Sequence, residues 1–157
     1  MTGIGLALWA AAVATAMLFV TRRERRRVAE CEGLLALLRH IRAAVSSYGL
    51  PKGEIYRSFS SEVLEDCGFL SLLREKGLAA ALAAELLIMK GERLRPLIAF
   101  ASGEGMRLTA EELTACERAE GEVERLLQTM KEHLPERLRL SRTLVLTVGM
   151  MVAILLI

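Results

Sequence analysis

The sequence predicts an all-α protein, with a cytoplasmic bundle of about five to six helices between two transmembrane helices. Three observations lead to this prediction. An apolar run lies near each end of the chain, every charged residue lies between Arg22 and Arg142, and apolar residues in that middle part recur at three and four. Such spacing places residues on one face of a helix, and no alternation typical of strands occurs. The predicted segments are 3–21, 22–137 and 138–157.

Residues 3–21 predict the N-terminal transmembrane helix. Eighteen uncharged residues, Gly3 to Val20, span about 27 Å at the α-helical rise, close to the roughly 30 Å hydrocarbon core of a bilayer. The first positive charge follows this run, whereas a cleavable signal peptide carries positive charge before it. Arginines beside a span remain in the cytoplasm, so the N-terminus is expected outside. The arginines that set this topology are Arg22, Arg23, Arg25, Arg26 and Arg27.

Residues 138–157 predict the second transmembrane helix. The uncharged stretch from Thr143 to Ile157 covers about 22 Å, and counting from Leu138 extends it to about 30 Å. This requires Arg139 and Arg142 to extend their side chains to the cytoplasmic headgroups. The arginines beside both spans then lie on the inner side, so both termini are expected outside.

The middle segment predicts several bundle helices. A first stripe comprises Leu34, Leu37, Leu38, Ile41, Val45 and Tyr48, and a short helix within 54–64 is expected to bury Ile55, Phe59 and Val63. The Ala- and Leu-rich residues 78–89 predict one helix, and residues 94–100 predict another with Pro96 in its first turn.

The longest helix of this segment is expected to begin at a capping box formed by Thr109 and Glu112, and Pro135 is expected to kink or interrupt it. Its predicted stripe suits packing against the helix of residues 28–48. That stripe comprises Leu113, Cys116, Ala119, Val123, Leu127, Met130 and Leu134.

Charge and cysteine usage narrow the function. The net charge of +2 is small, and its positive excess lies beside the apolar segments, which indicates anionic lipid headgroups and not nucleic acid as the counterpart. Cys31, Cys67 and Cys116 form no Cys-x-x-Cys pair and have no histidine at metal-ligand spacing. They are expected to be small core residues, with no metal site.

No catalytic constellation is evident. His40 and His133 each stand alone in a helical stretch, which indicates structural or solvated roles. The sequence Gly103-Glu104-Gly105 lacks the Gly-Lys-Ser/Thr ending of a nucleotide-binding loop. The chain is therefore predicted not to be an enzyme and to carry no cofactor.

Taken together, the anchor that runs into Arg22 and Arg23, the helical middle domain and the closing segment 138–157 resemble the stage III sporulation protein AB family of endospore-forming bacteria. Its members usually carry Leu-Gly before the last soluble helix, then an aspartate and a glutamine. Here Gly105 is kept, and Glu104, Leu108 and Glu112 stand at the other positions.

This resemblance implies a soluble domain similar to the cytoplasmic helical domains of the type II secretion platform protein F. It also implies a place in the channel-like secretion complex between mother cell and forespore, in the mother-cell membrane. The implied partners are a cytoplasmic secretion-type ATPase, stage III sporulation protein AA, and other stage III sporulation membrane proteins.

Two classes of function are thus open: a platform subunit that recruits an ATPase, and a membrane-tethered regulator or sensor that binds a small ligand between its helices. The candidate docking residues are Glu117, Glu120 and Glu124, which share one flank of the longest helix. This acidic column can also be an ordinary solvated face. If it docks the ATPase, replacing all three by lysine should abolish ATPase recruitment while leaving membrane insertion and the melting temperature nearly intact.

Overall fold

The computed structural model describes residues 2–48, 51–103 and 109–156, with side chains from 8–46, 51–103, 110–152 and residue 154. This part of the chain is 89% helical and contains no strand, which confirms the predicted all-α class. Seven α-helices are described, and a 3-10 turn at Gly91–Leu94 precedes the sixth. They are α1 (Thr2–Tyr48), α2 (Lys52–Ser58), α3 (Glu62–Asp66), α4 (Phe69–Lys76), α5 (Leu78–Ala83), α6 (Arg95–Ser102) and α7 (Thr109–Leu156).

The chain divides into two compact units. Unit 1 comprises Met1–Arg25 and Met130–Ile157, and unit 2 comprises Arg26–Thr129. Over the residues described, no helix combines the length and the apolar character needed to cross a bilayer.

In unit 2, α1 and α7 pack against each other in opposite directions. The Cys116 thiol donates to the Leu38 carbonyl at 3.3 Å, and the Cys31 thiol lies 4.0 Å from the Val123 carbonyl. Later residues of α1 therefore contact earlier residues of α7, which shows that the two helices are antiparallel. Of the predicted α7 stripe, Cys116, Ala119, Val123 and Leu127 are buried, whereas Leu113, Met130 and Leu134 are only half-buried.

The short helices cover the opposite side of α1. Gly33 is buried where α3 approaches, and a Cβ there would lie 3.1 Å from the Leu64 side chain. Gly68 and Gly77 take positive φ angles of 78° and 84°, which lets the chain turn sharply on either side of α4. The largest fully buried apolar side chains are Phe69, Leu34, Leu37, Leu38, Ile55, Leu64, Leu70, Leu73, Leu78, Met89 and Leu97.

The single helix predicted within 54–64 is wrong, because two helices, α2 and α3, occupy this segment. Phe59 is extended, with ψ 137°, and its carbonyl accepts a hydrogen bond from Arg74 at 2.9 Å in place of a bond to the next helical turn. The residues of α3 that face the core consequently differ from those predicted. Leu64 is fully buried, whereas Val63, predicted to be in the core, is only half-buried.

The helix predicted over 78–89 is confirmed for Leu78–Ala83 and wrong beyond it, since α5 ends at Ala83. Glu85 then takes a positive φ of 52°, and the chain to Lys90 is irregular. The amides of Ile88 and Met89 donate to the buried Glu30 carboxylate at 2.8 and 3.2 Å, so these donors do not continue a helix. Helix propensity is overridden by a tertiary contact.

The predictions about helix ends and about the two long helices are only partly confirmed. Pro96 lies in the first turn of α6, as predicted. Pro135 lies inside α7 without interrupting it. The predicted first bundle helix belongs to one helix with the predicted N-terminal anchor. The Thr109 side chain of the predicted capping box, and residues 104–108 with Gly105, lie outside the described residues.

A carboxylate in either core stripe should unfold unit 2. We expect Leu38→Asp and Val123→Asp each to cost several kcal/mol, because a buried charge loses its hydration without gaining a partner. Leu38 is fully buried and Val123 is 1% exposed. The measurement is the thermal melting curve by circular dichroism of the full chain in mild detergent. Ala36→Asp, on the exposed side of α1, is the matched control, and unchanged melting of the two core variants would contradict the packing.

Candidate functional site

The acidic column on α7 is the candidate docking site, and its three members lie in different surroundings. Glu117 is exposed, whereas the Glu120 side chain is only 12% exposed and Glu124 is 57% exposed. The column therefore borders the contact between α7 and α1. This placement agrees with its predicted position beside the core stripe.

Two of the three carboxylates form ion pairs with α1. Glu120 accepts hydrogen bonds from Arg39 at 2.9 Å and from Arg42 at 2.8 Å, one on each carboxylate oxygen. Glu124 accepts a hydrogen bond from the same Arg39 guanidinium at 3.0 Å. Arginine pairs well with several carboxylate oxygens because its planar donors diverge. These pairs offset the repulsion between neighbouring glutamates, without a second protein.

A further ion pair joins the same helix to α2. Lys52 Nζ lies 2.6 Å from Glu112 Oε1, and the Glu112 side chain is 12% exposed. Glu112, predicted to reach back as part of a capping box, thus faces a lysine of another helix. Together with Glu120 and Glu124, it fastens α7 to the elements that precede it in the chain.

Glu30 is a buried carboxylate that the sequence analysis did not single out. Its side chain is 0% exposed, Oε2 accepts the amides of Ile88 and Met89, and Oε1 lies 3.8 Å from Arg26 Nε. Burial raises the pKa of this carboxyl, while the two amide hydrogen bonds and the charges of Arg26 and Arg27 oppose the shift. A signal was present, because Glu30 stands four residues before Leu34, in line with the apolar stripe.

The histidines and cysteines occupy structural positions. His40 Nε2 lies 2.9 Å from Ser58 Oγ and 3.2 Å from the Ile55 carbonyl, linking α1 to α2. His133 Nδ1 lies 3.5 Å from Glu136 on an exposed part of α7. Cys31 and Cys116 are buried, as predicted, while Cys67 is half-buried.

These groups offer little chemistry. Burial raises the pKa of the Cys116 thiol to about 11, so it is not a nucleophile at neutral pH. Among the described residues, no group of three His, Cys, Asp or Glu side chains is placed to hold a metal ion.

A cleft between α6 and α7 has a volume of about 110 Å³ and is lined by Pro96, Phe100, Arg118, Ala119 and Glu122, among others. Pockets for small molecules generally measure about 300 to 1,000 Å³. This cleft is therefore too small to enclose a typical ligand.

Unit 1 carries the arginines predicted to set the membrane topology, apart from Arg26 and Arg27 in unit 2. Arg22, Arg23, Arg25, Arg139 and Arg142 are all exposed. Eleven of the thirteen exposed large apolar side chains described also lie in unit 1. These eleven are Leu8, Leu18, Phe19, Leu140, Leu144, Leu146, Val148, Met150, Met151, Val152 and Ile154.

Comparison with known proteins adds no relative. No family model, no curated protein and no solved structure matches this chain. The candidate site is thus defined by the geometry above.

Reversing the charge of Glu120 should destabilise unit 2, because a lysine there would face Arg39 and Arg42. We expect Glu120→Lys to lower the free energy of unfolding by about 1 to 3 kcal/mol, and Glu117→Lys to change it by less than about 0.5 kcal/mol. Chemical denaturation of the full chain followed by circular dichroism measures both. This differs from the expectation that a triple reversal leaves stability nearly intact.

A compensating variant provides the control. Arg39→Glu with Arg42→Glu, added to Glu120→Lys, restores opposite charges and should recover part of the loss. If Glu120→Lys is as stable as Glu117→Lys, the ion pairs contribute nothing and Glu120 is free for another partner.

The Glu30 carboxyl should give the free energy of unfolding a defined pH dependence. Because its pKa is higher in the folded state than in the unfolded state, its contribution is greatest below the unfolded-state pKa and declines as pH rises through the folded-state pKa. Glu30→Gln removes this titration but keeps an acceptor for the amides of Ile88 and Met89. The free energy of unfolding of Glu30→Gln, relative to that of the natural chain, should therefore increase with pH.

Glu30→Ala separates the hydrogen-bonding role from the titration. It should lose about 1 to 3 kcal/mol at every pH, because two buried amides lose their acceptor. Denaturant unfolding across the acid to neutral range tests both variants. Parallel pH profiles for the natural chain and Glu30→Gln would show that Glu30 does not titrate differently on folding.

Proposed function

We propose that this chain is a non-enzymatic membrane platform, or adaptor, subunit. In this proposal residues 3–21 and 138–157 anchor it in the bilayer, and residues 22–137 form a cytoplasmic domain. The observation that carries the proposal is the concentration of exposed large apolar side chains in unit 1, beside exposed arginines. Extensive exposed apolar surface marks a membrane or protein contact, and flanking arginines favour a membrane with its cytoplasmic face on the arginine side.

The resemblance to the stage III sporulation protein AB family gives the platform a setting. The chain would belong to a sporulation secretion-like channel complex in the mother-cell membrane facing the forespore. A cytoplasmic secretion-type ATPase, stage III sporulation protein AA, would be recruited by the helical domain.

Of the acidic column, this proposal keeps only Glu117 as a docking residue. Glu120 and Glu124 are paired with arginines of the same chain, so docking through them would require those pairs to open. Glu117 is exposed and lies one turn before Glu120 on the same flank. We therefore place the first contact with a basic partner surface at Glu117. The alternative, a regulator that binds a small ligand, would need a site other than the small α6–α7 cleft.

Co-purification tests the platform directly. When the full chain is purified from detergent-solubilised membranes of sporulating cells, we expect an oligomeric ATPase to accompany it. Glu117→Lys should lower the recovery of the ATPase, and the loss should be largest at low salt, because salt screens a charged contact at the surface. Glu122→Lys, on another face of α7, is the matched control. Absence of the ATPase from the natural chain would refute the platform, and equal recovery with Glu117→Lys would refute this docking residue.

Topology provides an independent prediction. Since the arginines beside both apolar segments are expected inside, alkaline phosphatase fused after Ile157 should be active. A fusion after Ser102 should be inactive, because that position lies in the cytoplasmic domain. A strongly fluorescent cytoplasmic reporter fused after Ile157 would contradict the topology.

A further inference from the structure

The two helical segments of unit 1 come into close contact at Gly149. This residue is buried, and a Cβ built on it would lie 3.0 Å from the Trp9 ring and 3.2 Å from the Val13 side chain. Such distances leave almost no room for a larger residue, so glycine permits the close approach of α7 to α1. A contact of this kind fixes how far one helix is shifted along the other.

That contact places arginines of both helices at the same level. The contacts of Cys116 with Leu38 and of Cys31 with Val123 show that α1 and α7 run in opposite directions, and each helix continues unbroken into its segment of unit 1. At the α-helical rise, Arg22 and Arg23 lie about 17 Å from the contact along α1. Arg137 and Arg139 lie about 15 to 18 Å from it along α7. These four arginines therefore lie at about the same level along the two helices.

Positive charge outnumbers negative charge at this level. Six exposed arginines lie within residues 22–25 and 137–142, where the only carboxylate is Glu24. None of the six has an ion-pair partner among the side chains described. They are Arg22, Arg23, Arg25, Arg137, Arg139 and Arg142.

We propose that these six arginines form one composite surface for anionic phospholipid headgroups, assembled by the contact of α1 and α7 at Gly149. The inference rests on the proposed membrane anchor and names the lipid class that the anchor prefers. Guanidinium groups bind phosphate oxygens through paired, charge-assisted hydrogen bonds, and exposed apolar side chains continue from the arginines along both helices. A phosphodiester joined to acyl chains has the polarity that matches such a surface.

The test uses the full chain reconstituted into vesicles of phosphatidylcholine mixed with phosphatidylglycerol. After gentle detergent extraction, mass spectrometry measures the ratio of the two lipids retained on the protein, relative to the bulk ratio. Each basic residue near an anionic surface contributes about fivefold to binding. We therefore expect phosphatidylglycerol to be enriched several-fold on the natural chain and to fall to near the bulk ratio with Arg139→Gln/Arg142→Gln.

Two further variants make the inference specific. Arg118→Gln/Arg125→Gln removes two exposed arginines from α7 within unit 2 and should leave the enrichment unchanged. Gly149→Leu keeps all six arginines but displaces α7 from Trp9, and it should lower the enrichment. Unchanged enrichment with Gly149→Leu would show that each helix binds lipid on its own, which overturns the composite surface.

The remaining outcomes separate this inference from the membrane anchor. Alkaline carbonate washing shows whether the chain is integrated in the vesicles. A chain that is removed by the wash refutes the anchor and the lipid surface together. A chain that stays integrated but retains the two lipids in the bulk ratio leaves the anchor in place and overturns the headgroup surface.

Discussion

The antiparallel pairing of α1 with α7 is the contact on which the rest of unit 2 depends. Helices α2 to α6 are five to eight residues long, and isolated helices of this length are unstable in water. They form because Leu34, Leu37 and Leu38 offer a fully buried apolar face against which they pack. Small residues such as Cys116 and Ala119 allow the two long helices to approach closely. Without α1, the short helices would have no surface to cover.

The periodic parts of this arrangement could be predicted from the sequence, because a helical stripe is a local pattern. Leu34, Leu37, Leu38 and Ile41 of the α1 stripe are buried as expected, whereas Val45 is half-buried. In the α7 stripe, Cys116, Ala119, Val123 and Leu127 are buried as expected. The helix prediction for the second half of segment 78–89 failed because its alanines and leucines indicate only intrinsic helix propensity. What decides its conformation is Glu30, which lies 58 residues from Ile88 along the chain. No local pattern could reveal that hydrogen bond, although a glutamate in register with Leu34 marks a position that must find buried donors.

Glu30 and Glu120 show two ways in which this chain accommodates a carboxylate near its core. Glu30 is fully enclosed and relies on two amides, so its charge is costly and its pKa is raised. Glu120 keeps a small exposure and meets two arginines that are themselves about half exposed. Those arginines retain much of their hydration, so each pair is worth only a modest amount. The first arrangement fixes a loop, whereas the second sets the register between two helices.

The sequence could not show which of the three glutamates is free to dock a partner, because Arg39, which pairs with Glu120, lies 81 residues away from it along the chain. A spacing of three and four shows that acidic residues share a flank, but it does not show what faces them. With Glu120 and Glu124 matched by arginines of the same chain, little unbalanced negative charge remains on that flank beyond Glu117. The arginines beside the apolar segments of unit 1 have no such match among the described side chains. A charged ligand binds more favourably to side chains that have no ion-pair partner within the protein than to side chains that are already paired. On electrostatic grounds, the proposed lipid headgroups at these arginines are therefore favoured over a basic protein at the acidic column.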